Sequence, residues 1–390
     1  MYDVGQLLKF EKENAAEEVA RDGGTAVEDH PEDEERSWAE TQATEYTGQY
    51  ELVQGNRASG YQEYGRGLWS VVYKATEITT TEELKVAALG IPTPPASPSN
   101  TSPQINGPAP KFLAIKAPIR RDAHQILENE ARILTYLHHF REGSDYIVPF
   151  HGYEHLEHSV VLDAVPLALE FYNKAAAKET RGNFSTRTMF DPVIGISQWL
   201  KLCKNLIDGL VFLHLKKVVH GDIKPMNILL RGRPAMQIDD TVIEYQPLYC
   251  DFSSSHVNEP GKDPEEVSAV TTEFTAPELL QAFRHRNGQR AIATYKNDVF
   301  ALGVTLLTAV TGENPYTSAR FEGQKTAMAK EGLPLEFARR GEQASRVGVK
   351  GMVDMVIRGA VEKDESKRWT VGQWQNVVKD IVREDLEKRR

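Results

Sequence analysis

The sequence predicts an α+β fold in two lobes, the first strand-rich and the second mainly helical. Two observations carry that prediction. From Tyr50 to Val165 the apolar residues fall in short runs with β-branched and aromatic side chains: "LWSVVYKATEI", "KFLAIKAP", "YIVPFHGY" and "HSVVLDAV". Such runs suit strands with a buried face. Beyond residue 195 the chain turns helical, over 196–215, 276–285, 297–311 and, in pieces, 351–385. Strands first and helices after is the order of segregated α+β domains. No internal repeat of solenoid period is present.

The segments follow in order. Residues 1–48 are acidic and poor in large apolar side chains, and they read as a disordered tail, with a transient helix near 3–20. The first 50 residues hold 14 Asp and Glu against 4 Lys and Arg, whereas the other 340 carry 42 of each sign. The formal charge of −10 therefore belongs to the tail. The tail fits a solvated segment or one that binds a partner. The neutral remainder gives no electrostatic footprint for nucleic acid. Residues 49–165 form the first lobe, interrupted at about 88–111 by "GIPTPPASPSNTSPQINGPAPK", which cannot build a core and reads as a flexible insertion. Within this lobe, residues 122–140 carry Ile126, Leu127, Ile133, Leu134 and Leu137 at helical spacing. Residues 166–385 form the second lobe. Its most apolar stretch, "VFALGVTLLTAV", is too short to span a bilayer and reads as a buried helix, so no membrane insertion is expected. Cys203 and Cys250 have no metal-ligand spacing and fit a reducing intracellular compartment, cytoplasm or nucleus. The first residues lack the pattern of a secretory or organellar signal.

Four stretches carry chemistry. In "YGRGLW", Gly65 and Gly67 between strands would let backbone N–H groups approach phosphates, although a Gly-x-Gly hairpin can be a turn and nothing more. In "FLAIK", Lys116 ends an apolar strand and needs a counter-charge if it points inward. Glu128 and Glu130 are the candidates, and an exposed lysine and glutamate account for the segments equally well. "VVHGDIKPMNILL" is more specific. Asp222 can orient a hydroxyl and accept its proton, Lys224 can neutralise charge on a transferred phosphoryl group, and Asn227 can ligate a metal through its amide oxygen. "LYCDFSSSH" ends a strand at Asp251, where a carboxylate can bind Mg²⁺ bridging two phosphates. Cys250 beside it reads as a small buried hydrophobe.

Taken together, "GRGLWSVV", "LAIK", "NEARIL", "HGDIKPMN", "CDFS", "TTEFTAPE", "DVFALGV" and "KRW" stand in the order of a known family. From about residue 50 to 382 the chain resembles the eukaryotic-type protein kinase superfamily. The resemblance implies a two-lobed kinase fold, ATP and Mg²⁺ as cofactors, and protein substrates. It implies that Gly65 and Gly67 cover the ATP phosphates, and that Lys116 contacts them while pairing with Glu130. Asp222 would be the catalytic base, Lys224 the γ-phosphate contact, and Asn227 and Asp251 the metal ligands. Val72, Ala114 and Leu229 would sandwich the adenine, and Leu162–Val165, with Asp163 and Val165, would form the hinge. Glu278 would pair with Arg368, and Asp298 would brace the catalytic loop. Lys224, together with Thr271 placed to bond Asp222, is the Ser/Thr-kinase form.

The chain also departs from the pattern. Gly221 stands where the family has Arg, whose charge a phosphorylated activation loop neutralises, so activity without loop phosphorylation is expected. Ser253 replaces the Gly of Asp-Phe-Gly and would be costly if φ were positive. Asn227 and Asp251 are 24 residues apart, which predicts an enlarged hairpin. Two alternatives remain at this stage. One is a pseudokinase acting as a nucleotide-binding or scaffolding module. The other is a small-molecule kinase of the aminoglycoside or choline type, which shares His-Gly-Asp but lacks Lys224 and the Ala-Pro-Glu segment.

Overall fold

A computed structural model describes residues 37–55, 60–78, 111–182, 185–186, 188–234, 243–259, 261, 264, 266–285 and 290–388. The tail before residue 37, its expected transient helix and the Pro/Ser-rich stretch up to residue 110 lie outside the described residues.

The first lobe is a six-stranded antiparallel sheet. Its strands are β1 (Tyr50–Leu52), β2 (Glu63–Arg66), β3 (Ser70–Glu77), β4 (Phe112–Pro118), β5 (Phe150–Glu154) and β6 (Ser159–Asp163). They run in the order β1-β3-β4-β6-β5, with β2 also on β3. Period-two alternation on β4 decides which side chains go where. Leu113 and Ile115 join Ala75 and Val161 in a cluster covered by Tyr46, Tyr50, Leu52 and Tyr73. Ala114 packs with Val160 and Leu162 in the main core, and Lys116, two residues on, shares its face.

Between β4 and β5 lies α1 (His124–His138), which buries Leu127, Ala131, Leu134 and, among them, Glu130. The short α2 (Gly143–Tyr146) follows it.

Residues 37–48 correct the tail boundary. They do not trail away but pack on α1 and β5. Thr44 N donates to Thr135 Oγ1 at 2.9 Å, and Arg132 Nε donates to Thr41 O at 3.0 Å. The Arg132 guanidinium sits 4.5 Å over the Trp38 ring, and Tyr46 and Tyr153 bond through their backbones. The anchors are aromatic side chains and backbone bonds, which the acidic composition masks.

The second lobe opens with α3 (Leu169–Gly182), a helix the periodicity did not predict, and α4 (Ile196–Leu215). Short strand β7 (Val218–Val219) precedes the His220–Asn227 turn. The expected hairpin follows as β8 (Ile228–Pro234) and β9 (Ile243–Tyr249), and β10 (His256–Val257) returns to β7. Then come α5 (Pro277–His285), α6 (Tyr295–Thr311), α7 (Glu322–Glu331), α8 (Pro334–Ala338), α9 (Met352–Ile357) and α10 (Val371–Lys388).

The central pillar is α6. It is buried from Asn297 to Thr311, as its apolar sequence requires. Thr294 and Asn297 form a capping box at its start, and Gly312, at φ +73°, closes it in the left-handed region. Trp199 of α4 donates to Leu306 O at 3.0 Å, tying the two helices together. Glu278 and Arg368 form a bidentate pair at 2.7 and 3.0 Å. Among the described residues no helix is long and apolar enough to cross a membrane.

Candidate active site

Two clusters form the site. In the first, Lys116 Nζ lies 2.6 Å from Glu130 Oε2 and 2.6 Å from Asp251 Oδ1. Strand β4 turns the lysine inward, and helix α1 turns Glu130 to meet it. Glu128 stays outside this contact. Phe252 N donates to Glu130 Oε1 at 3.1 Å, which locks the helix to the Asp-Phe segment. Burial by itself would lower the Lys116 pKa, but the carboxylates of Asp251 and Glu130 outweigh it and raise the pKa. Burial likewise works against the Asp251 anion, yet Lys116 holds its carboxyl well below the usual range. Glu130 is pushed up by burial, against the pull of Lys116.

In the second cluster, Lys224 Nζ lies 2.6 Å from Asp222 Oδ2, and Thr271 Oγ1 donates to Asp222 Oδ1 at 2.9 Å. Lys224 also reaches Thr271 Oγ1 at 3.1 Å. Asn227 Nδ2 donates to Asp222 O at 2.8 Å. Asp298, at the start of α6, accepts from His220 N at 2.8 Å and from Gly221 N at 2.9 Å. The loop is thus pinned from behind by main-chain bonds while Asp222 and Lys224 keep partly exposed side chains.

The donor set of Asn227 and Asp251 fits Mg²⁺. The Asn227 amide directs its Nδ2 to Asp222, which orients its oxygen as the remaining ligand atom. Cys250 N donates to Asn227 O at 3.0 Å, so Asp251 stands one residue from that contact. One carboxylate and one amide oxygen, completed by phosphates and water, match the sparse protein ligation this ion takes.

The residues expected to face a nucleotide lie on paired strands. Val72 pairs with Lys116 across β3 and β4, Ala114 pairs with Leu162 across β4 and β6, and Leu229 bridges to Ala168. Asp163 ends β6 with its carboxylate 2.6 Å from His151 Nε2, which lowers its pKa. Its side chain is therefore engaged, leaving main chain for any ligand contact there, and Val165 packs half-buried against the core. Gly65 lies opposite Val72 next to a bulge, and Gly67 N donates to Ser70 O at 2.8 Å. A Cβ at Gly65 would meet nothing within 4 Å. Space alone therefore does not demand glycine there.

Two sequence readings change. Ser253 does not occupy a left-handed position; Asp251 does, at φ +62°, where Asp is among the tolerated residues. Ser253 Oγ donates to Asp251 Oδ1 at 2.7 Å, so it braces the carboxylate. Gly221 has φ +81°, and a Cβ there would come within 2.5 Å of Ser254 O. Glycine at this position answers a backbone requirement, in addition to removing a charged side chain. Burial raises the Cys250 thiol pKa, although the residue is half-buried and packs at the edge of the core where the sequence suggested a buried hydrophobe.

Beside Lys224 opens a cleft of about 730 Å³ between α3, the Lys224 turn, the Thr271–Phe274 stretch and the end of α6. Sequence reasoning missed its α3 wall because the helix buries Leu169, Asn173 and Ala177, a stripe with a single large apolar residue. The i, i+4, i+8 spacing was the available signal.

The arrangement of an inward lysine, a paired helix glutamate, a braced aspartate and a strand-end aspartate is that of a phosphotransferase cleft. Residues 105–380 match the protein kinase domain family, and the chain belongs to that family. It is 28% identical over 220 residues to the serine/threonine-protein kinase ISR1 of Eremothecium gossypii, covering 52% of this chain and 53% of that one. It is 24% identical over 208 residues to ISR1 of Saccharomyces cerevisiae, covering 49% and 42%. To mitogen-activated protein kinase kinase 9 of Arabidopsis thaliana it is 25% identical over 248 residues, covering 63% and 68%. The chain thus spans about half the length of the two ISR1 relatives.

Proposed function

We propose that the chain is an active serine/threonine protein kinase that transfers the γ-phosphoryl group of ATP to hydroxyls of protein substrates. The observation that supports this best is the Asp222 carboxylate, held at once by Lys224 and Thr271, with its main chain fixed by Asn227. In this reading Asp222 orients the acceptor hydroxyl and takes its proton. Lys224 faces the transferred group and offsets its charge. Lys116, fixed by Glu130, holds the nucleotide phosphates beneath Gly65 and Gly67, with the base between Val72, Ala114 and Leu229. Asn227 and Asp251 would hold Mg²⁺, which when bound neutralises phosphate charge.

The test is transfer of labelled phosphate from γ-labelled ATP with Mg²⁺ to a broad protein and peptide panel. Transfer above an Asp222→Ala control is expected. Thermal stabilisation by nucleotide with no transfer beyond that control would instead mark a nucleotide-binding or scaffolding module.

We further propose that activity does not require activation-loop phosphorylation, because the glycine at 221 offers no cation for a loop phosphate to neutralise. If Thr272→Ala or Ser268→Ala abolished transfer and a phosphate on that residue restored it, this part would fail. The same reading places the protein inside the cell, in cytoplasm or nucleus, where its two thiols stay reduced.

A further inference from the structure

We propose that Asn173 reads the main chain of an extended acceptor peptide lying in the cleft beside Lys224. The protein then holds substrates through an uncharged hydrogen bond to their backbone, which does not depend on a charged flanking residue. This rests on the kinase reading above and deepens it.

The residue is out of place by ordinary packing rules. Helix α3 buries Leu169, Asn173 and Ala177, and Asn173 is only 1% exposed. Neither its Nδ2 nor its Oδ1 meets a hydrogen-bond partner among the described residues. A buried primary amide with no partner is a standing cost, and one left in place calls for an explanation. Asn173 lines the cleft that also exposes Lys224 and Phe274, next to where the acceptor hydroxyl must come. Thr308, a polar neighbour in the same lining, donates its hydroxyl proton to Val304 O within α6 at 2.9 Å.

The charges around the cleft argue for a neutral contact. Its three carboxylates are each matched by a cation: Glu170 by Lys174, Glu313 by Arg181, and Glu273 by Lys325 at 3.0 Å. Lys224 is matched by Asp222. Lys178 is the remaining lining cation, and it is exposed to solvent. Among the described lining residues no carboxylate stands unpaired to select arginine, and no buried cation stands unpaired to select glutamate. A carboxamide offers one acceptor and one donor side together, the complement of a peptide N–H and C=O in an extended segment.

The experiment uses an immobilised degenerate peptide library with a fixed central Ser or Thr, presented to the full chain with a non-hydrolysable ATP analogue. Retention, phosphorylation with ATP, and melting temperature are measured for wild type and for Asn173→Leu. Asn173→Ser replaces Asn173→Leu if the leucine variant does not fold. Expected is an unchanged or higher melting temperature, unchanged nucleotide affinity, and peptide retention weakened about tenfold, or about 1.4 kcal/mol. N-methylating one backbone amide of the best-retained peptide should cost wild type the same factor and the variant nothing more.

Equal retention by wild type and variant, as for a cleft holding only water, would overturn the proposal. So would a preference for Arg, Lys, Asp or Glu that survives in the variant, or a parallel fall in stability, nucleotide affinity and retention, which marks a structural asparagine. Asn173-dependent retention without any phosphorylation would uphold this inference while sinking the kinase reading.

Discussion

The two clusters of the site are built on opposite principles. Lys116 and Glu130 are all but sealed, with side chains 6% and 1% exposed, whereas Lys224 and Asp222 stand 23% and 19% exposed. The first cluster joins sheet and helix through the sealed Lys116–Glu130 pair and reaches the Asp-Phe segment at Asp251, which is itself 34% exposed, so its chemistry and the fold share the same contacts. The second is a set of half-exposed side chains on a loop held from behind by Asp298 and the main chain. There the chemistry can be removed and the fold left standing. The difference teaches which residues serve two purposes and which serve one.

Lys116→Met should break that contrast most severely. It leaves two carboxylates facing each other without their cation, and removing one partner of a buried pair costs about 3–5 kcal/mol. A marked drop in urea midpoint together with loss of nucleotide-induced stabilisation is expected. A midpoint equal to wild type would show that Lys116 is a solvated surface group. Asp222→Asn should do the reverse. Transfer should fall by about 10²–10⁴, while stability changes by about 1 kcal/mol or less. Steady-state kinetics beside a urea titration separates the two effects. An equally large stability loss in both variants would erase the distinction.

How much of this was legible in the sequence differs between the same two regions. The "FLAIK" segment left Lys116 open between inward and exposed, and its pairing with Glu130 over Glu128 rested on the "NEARIL" resemblance; the 2.6 Å contact between Lys116 and Glu130 is what turns the lysine inward. Asp222, Lys224, Asn227 and Asp251 were readable as a set only through the order of the eight motifs, which resembles the kinase family; Asp251 by itself carried no signal. What stayed hidden was set by backbone conformation or by contacts distant in sequence. The +81° φ of Gly221 leaves no compositional trace. Helix α3 escaped because its buried stripe contains an asparagine and an alanine. Residues 37–48 escaped because Trp38 and Tyr46 sit among glutamates and threonines. Segment α7, "EGQKTAMAKE", buries only Met328 and Ala329, too few to show a period.

Gly221→Ala sharpens the comparison at the loop's own backbone. The substitution puts a Cβ at positive φ within 2.5 Å of Ser254 O. Left-handed strain and overpacking together should cost about 1–3 kcal/mol. The main chain that Asp298 holds must then shift, and Asp222 is the next residue, so turnover should fall alongside stability. Nucleotide affinity, set by the Lys116 cluster, should stay near wild type. An alanine variant with wild-type melting temperature and turnover would mean that the loop relaxes freely, and that Asp298 does not fix it.

The smallest effect concerns pH, and it tests whether burial extends behind the loop. His220 is sealed, and burial lowers its pKa, although Asp298, Asp222 and Asp251 and the Cys250 carbonyl pull it back up. With Nε2 directed to Cys250 O at 3.2 Å and Nδ1 accepting from Asp222 N at 3.3 Å, the ring sits neutral. A depressed pKa in the folded state means that the unfolded chain takes up the proton first. Stability is therefore fully present above the ordinary histidine value of about 6.5 and declines as pH falls below it. His138, half-buried and with its pKa lowered by burial, adds to the same slope. Between pH 7.5 and 5.5 the melting temperature of wild type should fall, and that of His220→Gln should fall less steeply. Parallel slopes would assign the pH response to other groups and leave His220 a neutral packing element. A steeper slope in the variant would reverse the sign and show that the surrounding carboxylates, not burial, govern the ring behind the catalytic loop.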